Sequence, residues 1–343
     1  AFTMVEVFAV LLLIGTLVGL LLPAVQSSRE MARRTSCANN LTQVVLGLQL
    51  YHSAFDQLPM QLSGTDGSTV AGQDNDRRLS LFVDLLPLMG QPGLSQMIRY
   101  PLDQQSSSER FAGMVSNDDG QYALDIDPYT LDIDQQSSDQ QVWVAGGPEP
   151  FEVRYAPWMI EPPVLRCPSD PGYGSQAQGR TNYAVCLGDG VEAADSGPML
   201  AVSGRYVVDP VLREQTEAAM RGVFVPRVAM RLSDVTDGLS STIMLGEIAT
   251  GLGDHDRRTH PMAGPGAGVL RDRPNWAQES GRIDPERPVF WSNLGGTGKL
   301  DSSLQMRRGF RWCDGMPLYT GFNTILPPNR EITLYADRDD CWG

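Results

Sequence analysis

The sequence lacks the short motifs that mark the common hydrolases and metal enzymes. It has no HExxH pair, no GxSxG segment and no nucleophile with an identifiable base. Only three histidines occur in 343 residues, and the densest His/Asp group, at 254–260, has two arginines inside it. We interpret that group as a solvated loop more readily than as a metal site. We therefore expect that the chain is not an enzyme.

Basic residues are few. The chain has 27 Lys and Arg against 41 Asp and Glu, for a formal net charge of −14. Residues 1–60 contain three Arg and three acidic residues, so the whole net negative charge lies beyond residue 60. A nucleic-acid-binding protein needs a basic stripe, so no nucleic acid is expected as a partner. An acidic globular part fits a soluble surface that faces the exterior.

None of the five cysteines forms a CxxC pair, which argues against a zinc knuckle or a thioredoxin motif. In an exported protein, cysteines more often form disulfides. Spacing does not reveal the connectivity. We favour Cys186 with Cys313 and Cys167 with Cys341, which leaves Cys37 free on the N-terminal helix.

Charge is absent from the 22 residues at 7–28. A helix of that length measures about 33 Å, enough to cross a bilayer core of roughly 30 Å. Glu6 precedes the run, and an unpaired carboxylate at this depth costs roughly 3 kcal/mol, which makes it a functional candidate. A signal peptide or a plain anchor is the alternative, but the basic segment of a secretory signal is missing.

The helix is predicted to continue past the apolar run. Apolar residues recur at three- and four-residue spacing and form the stripe of an amphipathic helix: Leu41, Val44, Val45, Leu48, Tyr51 and Phe55. Pro59 disfavours helix at Leu58, and Pro23 is expected to kink the rod. This divides the chain into an assembly helix at 1–58 and a globular domain at 59–343.

The rest of the chain predicts a β-rich domain. Only 20% of residues are charged, and there are 35 Gly and 24 Pro. Short β-type runs, among them those at 151–157 and 222–226, are separated by Gly and Pro, with one brief helix at 211–221. We predict an α+β fold in which the long N-terminal helix packs on a mostly antiparallel β-rich domain.

A polar, acidic insertion is predicted at 103–142. It contains Leu-Asp-Ile-Asp twice, which suggests a hairpin with an acidic outer face. Four aspartates there are candidate calcium ligands, since calcium takes six to eight oxygens: Asp125, Asp127, Asp132 and Asp134. A solvated edge that resists strand-to-strand aggregation is the commoner outcome. No other cofactor is expected.

Phe2-Thr3-Met4-Val5-Glu6 followed by an apolar helix closely resembles the signature of type IV pilins and type II secretion pseudopilins. In that family a prepilin peptidase cuts before the Phe and methylates its new amine, and Glu6 stands at the family's offset from Phe2. Pro23 falls where many pilins carry a helix-bending proline. Ala1 stands where the family usually has Gly, so either Ala1 is removed or the cut falls one residue earlier.

Further segments resemble a pilin-like family, abundant in planctomycete bacteria, whose C-terminal domain has no known function. We refer to four of them as the marker segments: Cys-Pro-Ser-Asp-Pro at 167–171, Thr-Asn-Tyr at 181–183, residues 233–247, and Phe-Asn-Thr-Ile-Leu-Pro-Pro-Asn at 322–329. Cys-Ala-Asn-Asn-Leu at 37–41 and Tyr51-His52 resemble its helix.

The resemblance implies a structural subunit of an extracellular type IV pilus-like or pseudopilus filament. Its partners would be copies of itself, the prepilin peptidase and the inner-membrane assembly machinery, with the membrane as its location before assembly. The alternative is an anchored cell-surface protein that binds a solute or carbohydrate and never polymerises. Binding predicts a cleft lined by tryptophans, whereas a filament predicts tryptophans such as Trp158, Trp312 and Trp342 in the core or at subunit contacts.

Overall fold

The computed structural model describes residues 3–68, 72–103, 142–172, 178–292 and 306–334. Several predicted features lie outside these ranges. They are the processing residues Ala1 and Phe2, Cys341, Trp342, nearly all of the 103–142 insertion, and the calcium candidates Asp125, Asp127, Asp132 and Asp134.

A single helix, α1, spans Met4–Phe55. Thr3 caps its first turn, and Asp56 ends it in the left-handed region with φ 54°, its N–H donating to the carbonyl of His52. Pro23 lies inside α1, and helical residues continue on both sides of it. The predicted rod, ending near Phe55, is therefore confirmed.

The other helices of the described residues are short. They are α2 Leu81–Leu85, α3 Pro92–Arg99, α4 Ala156–Met159, α5 Pro210–Ala219, α6 Ala267–Asp272, α7 Trp276–Glu279 and α8 Pro317–Thr320. Three 3-10 turns accompany them at Leu86–Met89, Pro163–Leu165 and Leu232–Asp234. Asp209 caps α5 through the N–H groups of Val211 and Leu212, so the helix predicted at 211–221 is confirmed.

The strands in these described ranges are short too. They are β1 Leu102–Asp103, β2 Val142–Trp143, β3 Tyr183–Gly188, β4 Met199–Val202, β5 Arg205–Val208, β6 Leu245–Glu247, β7 Met262–Ala263, β8 Gly321–Asn323 and β9 Thr333–Leu334. The fully buried β3 lies between β6 and β8 in a three-stranded sheet. β3 is antiparallel to β6 but parallel to β8, and β7 is parallel to β9. The α+β class is confirmed, with the sheets small.

Two runs interpreted as strands are not strands. Within 151–157 the chain turns and then enters α4, where Pro157 occupies the first turn because its fixed φ suits that position. The run at 222–226 is irregular, although Val223, Phe224 and Val225 are buried in the core. Their apolar character reflects burial without strand pairing.

Aromatic side chains and the second half of α1 form the core. The rings of Trp158 and Trp312, both fully buried, meet edge to face with centroids 6.0 Å apart, and Tyr155 packs on Trp158 in the same way. Both tryptophans are therefore in the core, which is one of the two positions predicted for them. From α1, Val44 and Leu48 enter this cluster.

Candidate functional site

The first half of α1 is apolar and uncovered. Every residue from 4 to 28, called here the apolar segment, is exposed, including eleven leucines, isoleucines and valines at 7–22. By length and composition α1 can cross a membrane, with a mean hydropathy of 2.6 and none of its best 18-residue window buried. An apolar surface of this extent marks contact with lipid or with protein.

Glu6 lies at the start of this segment and forms a capping box with Thr3. The Thr3 backbone N–H donates to the Glu6 carboxylate at 2.8 Å, and the Glu6 N–H donates to the Thr3 hydroxyl at 3.4 Å. Two otherwise unpaired N–H groups at the helix start are thereby satisfied. A carboxylate has about four acceptor positions, so that of Glu6 can still accept from a second donor.

The second half of α1 is covalently joined to the domain. Cys37 forms a disulfide with Cys167 of the first marker segment, and Cys186 and Cys313 are free, buried thiols. The predicted pairs Cys167 with Cys341 and Cys186 with Cys313 are therefore wrong. Cys186 lies in β3 within the sheet, whereas Cys37 points from α1 towards the loop that carries Cys167.

The contact between α1 and the domain around Cys37 and Cys167 is called here the junction. Asn182, in the second marker segment, forms hydrogen bonds there with both the oxygen and the nitrogen of its carboxamide. Its Nδ2 donates to Asp170 at 2.7 Å and to the carbonyl of Ile248 at 3.0 Å. Its Oδ1 accepts from Arg166 at 2.7 Å and from the N–H of Cys167 at 3.0 Å. Two donors and two acceptor positions are all an amide side chain offers, so this buried group is fully satisfied.

Residues of the helix complete the junction. The Tyr183 hydroxyl donates to the carbonyl of Cys37 at 2.8 Å, and Asn40 Nδ2 donates to the carbonyl of Arg166 at 2.7 Å. Burial raises the pKa of Tyr183 to about 12, so this hydroxyl keeps its proton and remains a donor at neutral pH. The first two marker segments, the helix segment at 37–41 and Ile248, the residue after the third marker segment, thus meet at one place, where they orient α1 on the domain.

Metal ligation has little support in the part of the chain that the structure describes. Ligand atoms of Cys37, Cys167 and Glu247 lie within 4.8 Å of one another, but both sulfurs are in the disulfide and are not available as thiolates. In the 254–260 group, Asp256 is paired with Arg258, and His260 is buried with its Nδ1 3.0 Å from the carbonyl of Asp254. That group is more buried than the solvated loop we predicted.

A groove of about 720 Å³ opens beside β8. Its walls come from the end of β3, residues 243–249, α6, Arg308 and the segment 317–333, which includes the fourth marker segment. Apolar side chains such as Leu187, Leu318 and Phe322 dominate the lining. None of the described residues that line the groove is a tryptophan. Within the described residues, the groove is not the tryptophan-lined cleft that a binding protein predicts.

The arginines at the groove differ in their pairing. Arg330 donates to Glu331 at 2.9 Å, and Glu331 also accepts from Arg257 at 3.0 Å. Arg258 is paired with Asp256. Arg308 is buried, and among the described residues its Nη1 donates only to the carbonyls of Pro317 and Leu318, at 2.8 and 3.3 Å.

Sequence reasoning found the apolar segment, Glu6 and the marker segments, but it missed the groove and the roles of Asn182 and Arg308. An Arg at 308 in Arg-Arg-Gly-Phe-Arg has no local signal that separates it from Arg307 or Arg311. Its environment depends on chain segments that are far apart in sequence.

A family model described as "Protein of unknown function (DUF1559)" matches residues 26–335. No curated protein and no solved structure matches the chain. The matched region begins inside α1 and includes the junction and the groove.

Proposed function

We propose that this chain, which belongs to the DUF1559 family and carries an apolar N-terminal helix typical of a membrane-anchored or secreted surface protein, is a pilin-like structural subunit of an extracellular filament. In this proposal the chain is not an enzyme. Its apolar segment holds it in the inner membrane until assembly and then lies in the filament core. The acidic globular domain forms the outer shell.

One observation carries the proposal: the two halves of α1 have opposite environments. Every residue of the apolar segment is exposed, whereas Cys37, Val44 and Leu48 are buried against the domain. A helix that only completed a soluble core would bury its most apolar part, and α1 exposes it. The junction at Cys37 and Asn182 fixes the orientation of the exposed half of α1 on the domain, which a helix used for assembly requires.

Glu6 would set the register between subunits. When the apolar segment leaves lipid for a filament core, the Glu6 carboxylate needs a cationic partner, since an unpaired charge there costs several kcal/mol. The N-terminal amine of a neighbouring chain, exposed by a prepilin peptidase at Phe2 or at Ala1, would supply it. The inner-membrane assembly machinery would add subunits one at a time.

Variants at the capping box test this role. Thr3→Ala removes the acceptor of the box but keeps the Glu6 carboxylate, whereas Glu6→Ala removes the carboxylate. We expect Thr3→Ala to form filaments in near-normal yield. We expect Glu6→Ala to be inserted in the membrane and poorly assembled, as measured by the amount of chain in the sheared fraction relative to the membrane fraction.

Two outcomes would contradict the role of Glu6. Normal filament yield from Glu6→Ala would show that assembly does not use the carboxylate. Equal losses from Thr3→Ala and Glu6→Ala would show that the pair acts only by capping the helix.

A second candidate function rests on the groove beside β8. Its size suits a solute, which favours the anchored binding protein that never polymerises. The chain would then stay in the membrane fraction, and Glu6→Ala would not change the yield of sheared material.

A further inference from the structure

We propose that the groove beside β8 binds a small organic anion, with the anionic group on Arg308 and an apolar body along Phe322 and the walls of the groove. This inference goes beyond the filament role. It holds whether or not the chain polymerises.

Arg308 is the groove arginine without an acidic partner. Among the described residues, Arg258 is paired with Asp256 and Arg330 with Glu331, but no carboxylate lies within salt-bridge distance of Arg308. The residue is nonetheless buried, with only 9% of its surface exposed. A buried cation without a counter-ion is unfavourable unless something else supplies the charge.

The geometry leaves donors for a ligand. Nη1 of Arg308 is used by the carbonyls of Pro317 and Leu318, which fixes the plane of the guanidinium. Nε and Nη2 donate to no described residue, and Arg308 is one of the residues that line the groove. A guanidinium edge with free N–H groups matches the two oxygens of a carboxylate.

Desolvation adds to this preference. Burial lowers the pKa of Arg308 to about 10, so the side chain is charged at neutral pH but in an environment that disfavours the charge. An anion that enters the groove compensates that cost. A neutral ligand of the same shape does not.

The rest of the groove lining favours a ligand whose body is apolar. Leu187, Leu270, Leu318, Phe322 and Ile325 face the groove, whose volume of about 720 Å³ lies within the range of small-molecule sites. An alkyl or aryl carboxylate fits both the charge and the surface.

Isothermal titration of the full chain in a neutral detergent, with octanoate as the probe, tests the proposal. Empty micelles provide the blank. We expect saturable binding of octanoate, and binding of octanamide, its uncharged isostere, weaker by roughly tenfold or more because a hydrogen bond to a charged group is lost. Absence of octanoate binding at millimolar concentration would overturn the proposal, as would equal binding of octanamide.

Variants separate Arg308 from general effects of charge. Arg308→Met is expected to reduce octanoate binding to the level of octanamide, and Arg308→Lys to restore part of it. Arg213→Met, on the exposed face of α5, is the matched control and is expected to bind as wild type. Binding by Arg308→Met that equals wild type would overturn the proposal.

A second variant covers the case in which Arg308→Met does not fold. Ile243 lines the groove and is 56% exposed, so Ile243→Trp fills the groove without disturbing the core. We expect this variant to unfold at the wild-type temperature and to lose octanoate binding. Unchanged binding by a folded Ile243→Trp would show that octanoate binds elsewhere.

Discussion

Cys37 of the long helix is bonded to Cys167, 130 residues further along the chain. The bond lies where the exposed half of α1 ends and the buried half begins. It is flanked by the hydrogen bond from the Tyr183 hydroxyl to the carbonyl of Cys37. Any force on the apolar segment therefore reaches the domain through a covalent link.

Removal of this disulfide is expected to destabilise the domain considerably. Cys37→Ser should lower the free energy of unfolding by about 2–5 kcal/mol, because the bond closes a long loop in the unfolded chain. Urea denaturation in neutral detergent measures this. Reductant should destabilise wild type to a similar extent and leave Cys37→Ser unchanged. A disulfide-linked peptide joining Cys167 to Cys341 would contradict the connectivity.

Two leucines on α1 test which face of this helix packs on the domain. Leu48 is 1% exposed and Leu50 is 53% exposed. Leu48→Ala should cost about 2–5 kcal/mol through lost burial and a cavity, whereas Leu50→Ala should stay within about 0.5 kcal/mol of wild type. Thermal unfolding of the two variants measures the difference. Equal effects would mean that α1 does not pack on the domain through this face.

Asn182 is expected to be the most sensitive polar residue of the junction. Asn182→Ala removes one hydrogen bond from Asp170 and one from Arg166, and it takes the side-chain partner away from the carbonyl of Ile248, at a cost of roughly 2–4 kcal/mol. Asn39, exposed on α1, gives the control, and Asn39→Ala should be near neutral. Urea denaturation of both variants tests this. A near-neutral Asn182→Ala would contradict the role assigned to the marker segments.

Stability at low pH should depend on Glu331. Burial raises the pKa of this carboxyl, but the hydrogen bond from Arg330 and the charges of Arg330 and Arg257 lower it by more, and the pKa lies below its ordinary value of 4.5. The ionised form is thus favoured by folding. Its contribution is present above pH 4.5 and is lost as the pH falls through the folded-state pKa.

The variant Glu331→Gln should remove this part of the acid sensitivity. Wild type should lose stability more steeply than Glu331→Gln as the pH is lowered past 4.5, measured by unfolding temperature against pH. Glu214→Gln, on the exposed face of α5, is the matched control and should follow wild type. Parallel pH profiles for wild type and Glu331→Gln would contradict the assignment.

Periodicity and length were sufficient to predict α1, because the signal lies within neighbouring residues. Of the predicted stripe, Val44 and Leu48 are buried, whereas Phe55 is exposed and its ring packs on that of Tyr51. The disulfide could not be predicted, because Cys37 meets Cys167 only through tertiary packing.

The groove was missed, and the run at 151–157 was wrongly predicted as a strand, because both depend on tertiary contacts. Arg308 becomes a candidate only when separate segments enclose it, and no local pattern encodes that enclosure. In 151–157, residues with high strand propensity precede Pro157. The tertiary packing of Tyr155 and Trp158 outweighs that propensity. The marker segments were visible in the sequence, but their hydrogen bonds to one another were not.

The most direct measurement is electron microscopy of material sheared from the native cells, with peptide mass spectrometry on the same fraction. The filament account predicts long uniform fibres that contain this chain, with an N-terminal peptide that starts at Ala1 or Phe2. A chain that stays in the membrane fraction, with no fibres in the sheared material, would contradict it and favour the anchored binding protein.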